Sequence, residues 1–266
     1  MRFAADHERL VVLPASRAAA LLESIATDLV VQARQQRAAS AAAPVASTVW
    51  ADPAGDGRFV HRVGPADAET LVVLIPGVGT DGGDLGALAA DAERLHAAIA
   101  PAATSLAVVA WLGYDPPDTV AGAISPRPAD RGAERLVADL AHLRRPDRVP
   151  PVARVVLVGH SYGGVVAGRA VAAGARADVA VLVGAPGIGL PDAGRVVGRP
   201  DVRVFAVRAS DDPIGVVPLL AGPLYGPDPL AVAERLPTAA TGHSAYFRDP
   251  LLLGRLADLA GEPVRS

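Results

Sequence analysis

The stretch that most restricts what this chain can fold into reads Val155-Val156-Leu157-Val158-Gly159-His160-Ser161-Tyr162-Gly163-Gly164. Four consecutive branched apolar residues predict a strand buried on both faces. The small residues that follow predict a helix from Tyr162 to Ala173. Between them lies G-x-S-x-G, in which Gly159 and Gly163 leave room for a tight strand-to-helix turn. Such a turn projects Ser161 above the carboxyl end of the strand. It also sets the serine beside a helix N-terminus, whose amides and dipole favour developing negative charge.

The rest of the chain supplies the sheet that this strand needs. Short segments at Thr48–Trp50 and Arg58–Val63 are expected as antiparallel edge strands. Glu69–Ile75, Leu106–Leu112, Arg154–Val158, Val179–Val183 and Val202–Val207 read as apolar strands. Helical patterns over Asp84–Ala100, Ala129–Arg144 and Pro250–Ala260 separate or follow them. The alternation predicts an α/β protein with a mostly parallel central sheet covered by helices on both faces. Gly184 to Asp201 is too short for a large lid. Before the sheet, Ala20, Leu21, Ile25, Leu29 and Val30 recur at helical spacing between Pro14 and Ser40, and an Ala/Ser-rich linker runs to Ser47. Residues 1–47 are therefore expected as a helical segment and linker, and 48–266 as the main domain. The amphipathic helix is expected to pack on its own domain in preference to a protein partner.

Composition removes several functions. Twenty-five basic residues face 28 acidic ones, a net charge of −3, and every basic residue is arginine. That balance argues against nucleic-acid binding. The absence of cysteine excludes disulfides, thiolate metal sites and a cysteine nucleophile. No clustered His/carboxylate motif suggests a metal, and no cofactor is expected. The apolar runs are far shorter than a membrane span, and charges interrupt the first nine residues where a signal peptide would be apolar. These features point to a cytoplasmic protein acting on a small molecule.

A serine nucleophile needs a base, and the chain has six histidines. His7, His61, His96 and His142 fall near the start, in a strand or in helical patterns. His160 occupies the variable position of the turn and is expected to point away from Ser161. His243, in Thr241-Gly242-His243-Ser244, lies in a late loop and is the one histidine after Ser161, as the order nucleophile, acid, histidine requires. The acid should follow a strand between those two. The strand ending at Val207 leads into Ser210-Asp211-Asp212-Pro213, which offers Asp212, with Asp211 as the alternative; Asp178, Asp192 and Asp228 fit a strand end less well. Negative charge on a tetrahedral intermediate would be held by the Tyr162 amide and by one from Pro76-Gly77-Val78-Gly79-Thr80, with Val78 preferred over Gly79 and Thr80. That loop lacks the lysine of a phosphate cradle and the spacing of a dinucleotide fingerprint. Trp111 and Tyr114 end another strand at the same sheet edge and are expected to line the substrate pocket, with core packing as the alternative for Trp111.

With these residues in view, the chain resembles the α/β-hydrolase superfamily. More narrowly, it is similar to an actinobacterial α/β-hydrolase family catalogued as a domain of unknown function. The matching pieces are P-G-V-G-T at Pro76–Thr80, A-W-L-G-Y-D at Ala110–Asp115, G-H-S-Y-G at Gly159–Gly163, D-P-I-G at Asp212–Gly215 and G-H-S at Gly242–Ser244. The resemblance implies an α/β-hydrolase fold, and its D-P-I-G segment favours Asp212 over Asp211. Pro76 stands where the common oxyanion motif has histidine. Residues and resemblance together imply a serine hydrolase of the carboxylesterase type, with a Ser161–Asp212–His243 triad and an acyl-enzyme. Thioesterase, lipase, peptidase and acyltransferase chemistry would use the same groups. The rival class is a non-catalytic interaction protein on the same fold.

Overall fold

The computed structural model describes residues 48–52, 57–103, 105–144, 151–218 and 224–262. The helix expected before Ser40 and its linker lie outside these residues. Eight strands form one sheet in the order β1-β2-β4-β3-β5-β6-β7-β8. They are β1 (Thr48–Asp52), β2 (Arg58–Val63), β3 (Thr70–Ile75), β4 (Leu106–Leu112), β5 (Arg154–His160), β6 (Val179–Val183), β7 (Arg203–Val207) and β8 (Glu234–Arg235). The first two pair antiparallel, with a register shift between Thr48 and Trp50, and β2 runs antiparallel to β4. From β4 to β8 every pairing is parallel. The sheet is mostly parallel, as its continuous apolar strands require: every residue of β3, β4 and β6 is buried.

Four longer helices cover it: α1 (Leu85–Ile99), α2 (Arg127–Leu143), α3 (Tyr162–Ala172) and α4 (Pro250–Gly261). α1 packs on α4, and α2 on α3. Since β5 touches both α3 and α4, the two pairs cover opposite faces. Between Gly184 and Asp201 there is one short helix, Gly194–Val197, so this connection carries no large lid. Two features were not foreseen. β8 contains two exposed residues and has no apolar pattern to reveal it. β5 continues through Gly159 to His160, because these residues pair with Leu182 and Val183 of the neighbouring strand.

Register decides where the chemistry falls. Ile75 pairs with Gly159, His160 with Val183, and Val183 with Val207. The carboxyl ends of β3, β5, β6 and β7 therefore finish level. The loops that leave them converge at one edge, where open α/β sheets place their ligand sites.

Candidate active site

Ser161 stands between β5 and α3 with φ 55° and ψ −125°. It is one of two non-glycine residues with positive φ among the described residues, the other being Ser105. An L-residue in this region is strained, and the surroundings must hold it there. Its amide donates to the Val183 carbonyl at 2.9 Å, and its carbonyl accepts from Gly164 at 2.9 Å. The two motif glycines answer to close packing. A Cβ on Gly159 would lie 2.7 Å from the Gly164 Cα, and one on Gly163 would run into the Ile75 carbonyl. A third approach involves the loop after β3, where a Cβ on Gly77 would lie 2.8 Å from the Ser161 Cβ. The loop after β3 thus presses directly on the serine.

Asp212 follows β7 and is buried, although a carboxylate is rarely buried without compensation. Here it has several donors. His243 Nδ1 lies 3.0 and 2.9 Å from its two oxygens, and the Ile214 amide donates to Oδ1 at 2.9 Å. The Tyr246 hydroxyl donates to Oδ2 and itself accepts from the Ala209 amide at 2.9 Å. Burial and the adjacent Asp212 charge raise the Tyr246 pKa, so the phenol stays a donor. The other nitrogen of His243, Nε2, is buried and has no hydrogen-bond partner. Gly184, at the end of β6, makes room for this group. A Cβ there would lie 3.0 Å from Asp212 Oδ2, 3.1 Å from the Tyr246 ring and 3.2 Å from His243 Cε1.

The structure separates the two neighbouring aspartates. Asp212 meets the imidazole, while exposed Asp211 accepts from the Gly242 amide at 2.8 Å and secures the turn before His243. The other carboxylates have structural partners. Asp228 forms a two-point pair with Arg208 at 2.9 Å, Asp178 binds Arg144 and the Val155 amide, and Asp192 caps the Gly194 amide. His61 is buried in β2, and His96 and His142 lie on helices. His7 lies outside the described residues.

Other expectations are corrected by the packing. His160 packs against the late loop that carries His243. Its Nε2 lies 2.8 Å from the His243 carbonyl, and the two imidazole rings are 4.8 Å apart. The Phe247 ring meets it edge-on at 5.8 Å. His160 therefore braces the backbone of the late loop. Trp111 and Tyr114 do not form a substrate-facing pair. Tyr114 is fully buried, with its hydroxyl donating to the Pro76 carbonyl at 2.7 Å. Trp111 donates to Asp139 at 2.7 Å and helps line a groove of about 590 Å³ with Val60, Val73, Val109 and Leu136. Among the rival amides of the oxyanion-type loop, that of Gly79 is already given to the Pro117 carbonyl at 2.9 Å. Sequence reasoning missed Tyr246, and its position three residues after His243 was the one signal that could have suggested it.

Comparison with known proteins agrees with this architecture. A family described as Alpha/beta hydrolase matches residues 52–222. An uncharacterized protein of Mycobacterium tuberculosis (strain H37Rv) is 33% identical over 171 residues, which cover 61% of this chain. The alignment spans 26% of that relative, about a quarter of its length. A second uncharacterized protein of the same strain is 30% identical over 208 residues, 72% of this chain and 77% of the relative. Among solved structures, an ester hydrolase from the metagenome of Lake Arreo, complexed with a bipyridine phosphonate derivative, superposes with a TM-score of 0.53 at 15% identity. That match covers 94% of this chain and 90% of the other. An esterase of Pyrobaculum calidifontis gives 0.51 at 14% identity, over 94% and 98%. At such identities the likeness concerns the fold alone. No helix among the described residues is long and apolar enough to cross a membrane. With its parallel sheet, its strained serine turn and a family match over more than half its length, the chain belongs to the α/β-hydrolase family.

Proposed function

We propose that this hydrolase cleaves carboxylic esters through a Ser161–His243–Asp212 triad. The observation that carries the reading is the buried Asp212 carboxylate on His243 Nδ1, which leaves Nε2 as the available nitrogen at the sheet edge where Ser161 stands. Bonding at Nδ1 fixes the tautomer, so the lone pair sits on Nε2. As substrate binds, Ser161 Oγ would close on Nε2, a contact that in free enzymes is often formed only in the complex.

The steps follow from that arrangement. Ser161 Oγ attacks the ester carbon while its proton passes to His243 Nε2. The carbonyl oxygen takes the negative charge and accepts from the Tyr162 and Val78 amides. The tetrahedral species collapses, and the alcohol leaves with the proton from Nε2. Water then attacks the acyl-enzyme, giving its proton to the same nitrogen, and the acid departs as Ser161 recovers a proton. Asp212, on the other ring nitrogen, stabilises the imidazolium that forms. The short Gly184–Asp201 connection favours small or medium acyl groups over chains that need a lid. The test is to treat the full chain with a fluorophosphonate probe and map the adduct, alongside hydrolysis of acyl esters of increasing length. Labelling at Ser161 with turnover of the shorter esters is the expected result. A folded protein that neither reacts at Ser161 nor cleaves any ester refutes it.

A further inference from the structure

The A-W-L-G-Y-D segment is distinctive in the sequence, yet the proposed reaction gives Trp111 and Tyr114 no part. Their contacts lead to the oxyanion-type loop. Tyr114 lies just beyond β4 and is 1% exposed. Its hydroxyl donates to the carbonyl of Pro76, a buried residue at the start of the loop. Burial raises the phenol's pKa well above its ordinary value, so it stays protonated and a donor at every working pH.

The ring is fixed on two sides. It stacks on Trp111, with centroids 5.9 Å apart and planes 13° from parallel, and Trp111 is tied to Asp139 of α2. From α2 itself, Gly132 approaches so closely that a Cβ there would lie 3.0 Å from the Tyr114 ring. Arg135 of the same helix donates to the Gly113 carbonyl at 3.1 Å. The segment after Tyr114 makes a second attachment, since the Pro117 carbonyl receives the Gly79 amide. Farther along, the loop ends in a reciprocal cap, where Asp81 Oδ1 accepts from Gly83 and Asp84 Oδ2 accepts from Asp81. Val78 therefore lies between two points, Pro76 and Gly79, that are both held by the chain following β4.

We propose that Tyr114 is a positioning residue for the oxyanion loop, its hydroxyl fixing the Pro76–Gly77 peptide so that the Val78 amide is aimed at the oxygen that becomes charged during attack by Ser161. Fixing the carbonyl of Pro76 fixes the whole peptide plane, because the unit is rigid. Gly77 lies against the Ser161 side chain, so a rotation of that plane moves the next amide relative to the nucleophile. Polar support of this kind matters because a donor aimed in advance costs nothing to reorganise at the moment of reaction. The inference rests on the serine-hydrolase reading above.

The test is Tyr114→Phe in the full chain, which keeps the ring and removes the hydroxyl. Paired substrates are used, an ester and its thionoester, whose sulfur accepts hydrogen bonds poorly. kcat on the ester is expected to fall about 10-fold to 100-fold, the scale of a misplaced reacting group. KM changes little, the pH profile keeps its shape, and the preference for ester over thionoester shrinks by a similar factor. Equal losses on both substrates would mark general loosening and overturn the proposal, as would wild-type kcat in a folded variant. If Tyr114→Phe does not fold, Asp139→Ala, which removes the acceptor of the Trp111 indole and loosens the exposed end of the stack, gives a weaker loss with the same substrate signature; equal or absent losses there overturn it too. An active Ser161→Ala protein, by contrast, would remove the hydrolase reading itself. An inactive one beside a wild-type Tyr114→Phe removes the positioning role alone.

Discussion

The two flanks of Ser161 are built differently. On one side, His243 is held by a buried charge, and the Asp212 carboxylate gathers an imidazole, an amide and a phenol. On the other, the loop after β3 is held by neutral groups, its Pro76 carbonyl on Tyr114 and its Gly79 amide on Pro117. A charged centre in a low-dielectric pocket couples strongly to protonation, so defects there alter the imidazole and its tautomer. A loop fixed by neutral bonds couples to geometry, and defects there alter transition-state charge without touching a titration. Under the proposed reaction the same serine would depend on a proton-handling side and a shape-holding side, and substitutions separate them.

The largest effect belongs to the atom the two sides share. Ser161→Ala should reduce ester turnover on the order of 10⁶-fold and abolish fluorophosphonate labelling, with circular dichroism and melting unchanged. Near-normal turnover in that protein would end the comparison, because neither flank would then serve a nucleophile. Next comes Asp212→Asn. An amide facing Nδ1 favours the wrong tautomer, and the loss should approach 10⁴-fold, read from steady-state kcat. Asp211→Asn, which changes an exposed bond to Gly242, should stay within roughly tenfold. A reversal of that order would move the acid to Asp211. A smaller change is expected from Tyr246→Phe, which removes one donor to a carboxylate that retains its others. A hydrogen bond to a charged group contributes about 1.5–3 kcal/mol, so kcat should fall roughly 10-fold or more, with an altered pH profile. That altered profile is the contrast with Tyr114→Phe, and identical profiles for both variants would erase the distinction between the flanks.

The smallest effect is a control placed away from both. His61 is buried in β2, and neither ring nitrogen has a hydrogen-bond partner. Burial lowers its pKa from 6.5, while the Glu93 charge opposes the shift. The unfolded chain therefore binds its proton at a higher pH than the folded one. The stability in question is fully present above about pH 6.5 and is lost as the pH falls toward the folded value. Thermal melts of the wild type should show this decline, and His61→Phe should flatten it without changing kcat. An unchanged slope in His61→Phe would assign the acid sensitivity to the site itself.

Legibility in the sequence followed the range of the interactions. The strands β3, β4, β5 and β6 announce themselves because a strand covered on both faces must be apolar throughout. β8 does not, since an exposed two-residue edge strand is defined only by its pairing with Phe205 and Ala206. Ser161 was readable because its turn imposes glycines at fixed offsets, and His243 because the chain order leaves no other histidine after it. What His160 packs against was not readable. Turn chemistry places its neighbour but says nothing of a loop more than eighty residues later that comes to rest on its ring. Trp111 and Tyr114 were placed at the right edge of the sheet, but whether an aromatic side chain meets substrate or supports a loop depends on where α2 lies.

What the sequence by itself determined is therefore local and periodic: a parallel covered sheet, a serine on a strained turn, and a late histidine with an aspartate before it. Continuous apolar runs and glycine offsets act over a few residues, so the linear text contains them. The tertiary structure alone decided what exposed Asp211 does instead, that Tyr246 secures Asp212, and that Tyr114 holds Pro76 while Gly79 gives its amide to Pro117. These pairings join residues far apart in the chain. They exist only because four parallel strands end level and bring their loops to one edge, where a difference of one residue in register reverses the direction in which a side chain points.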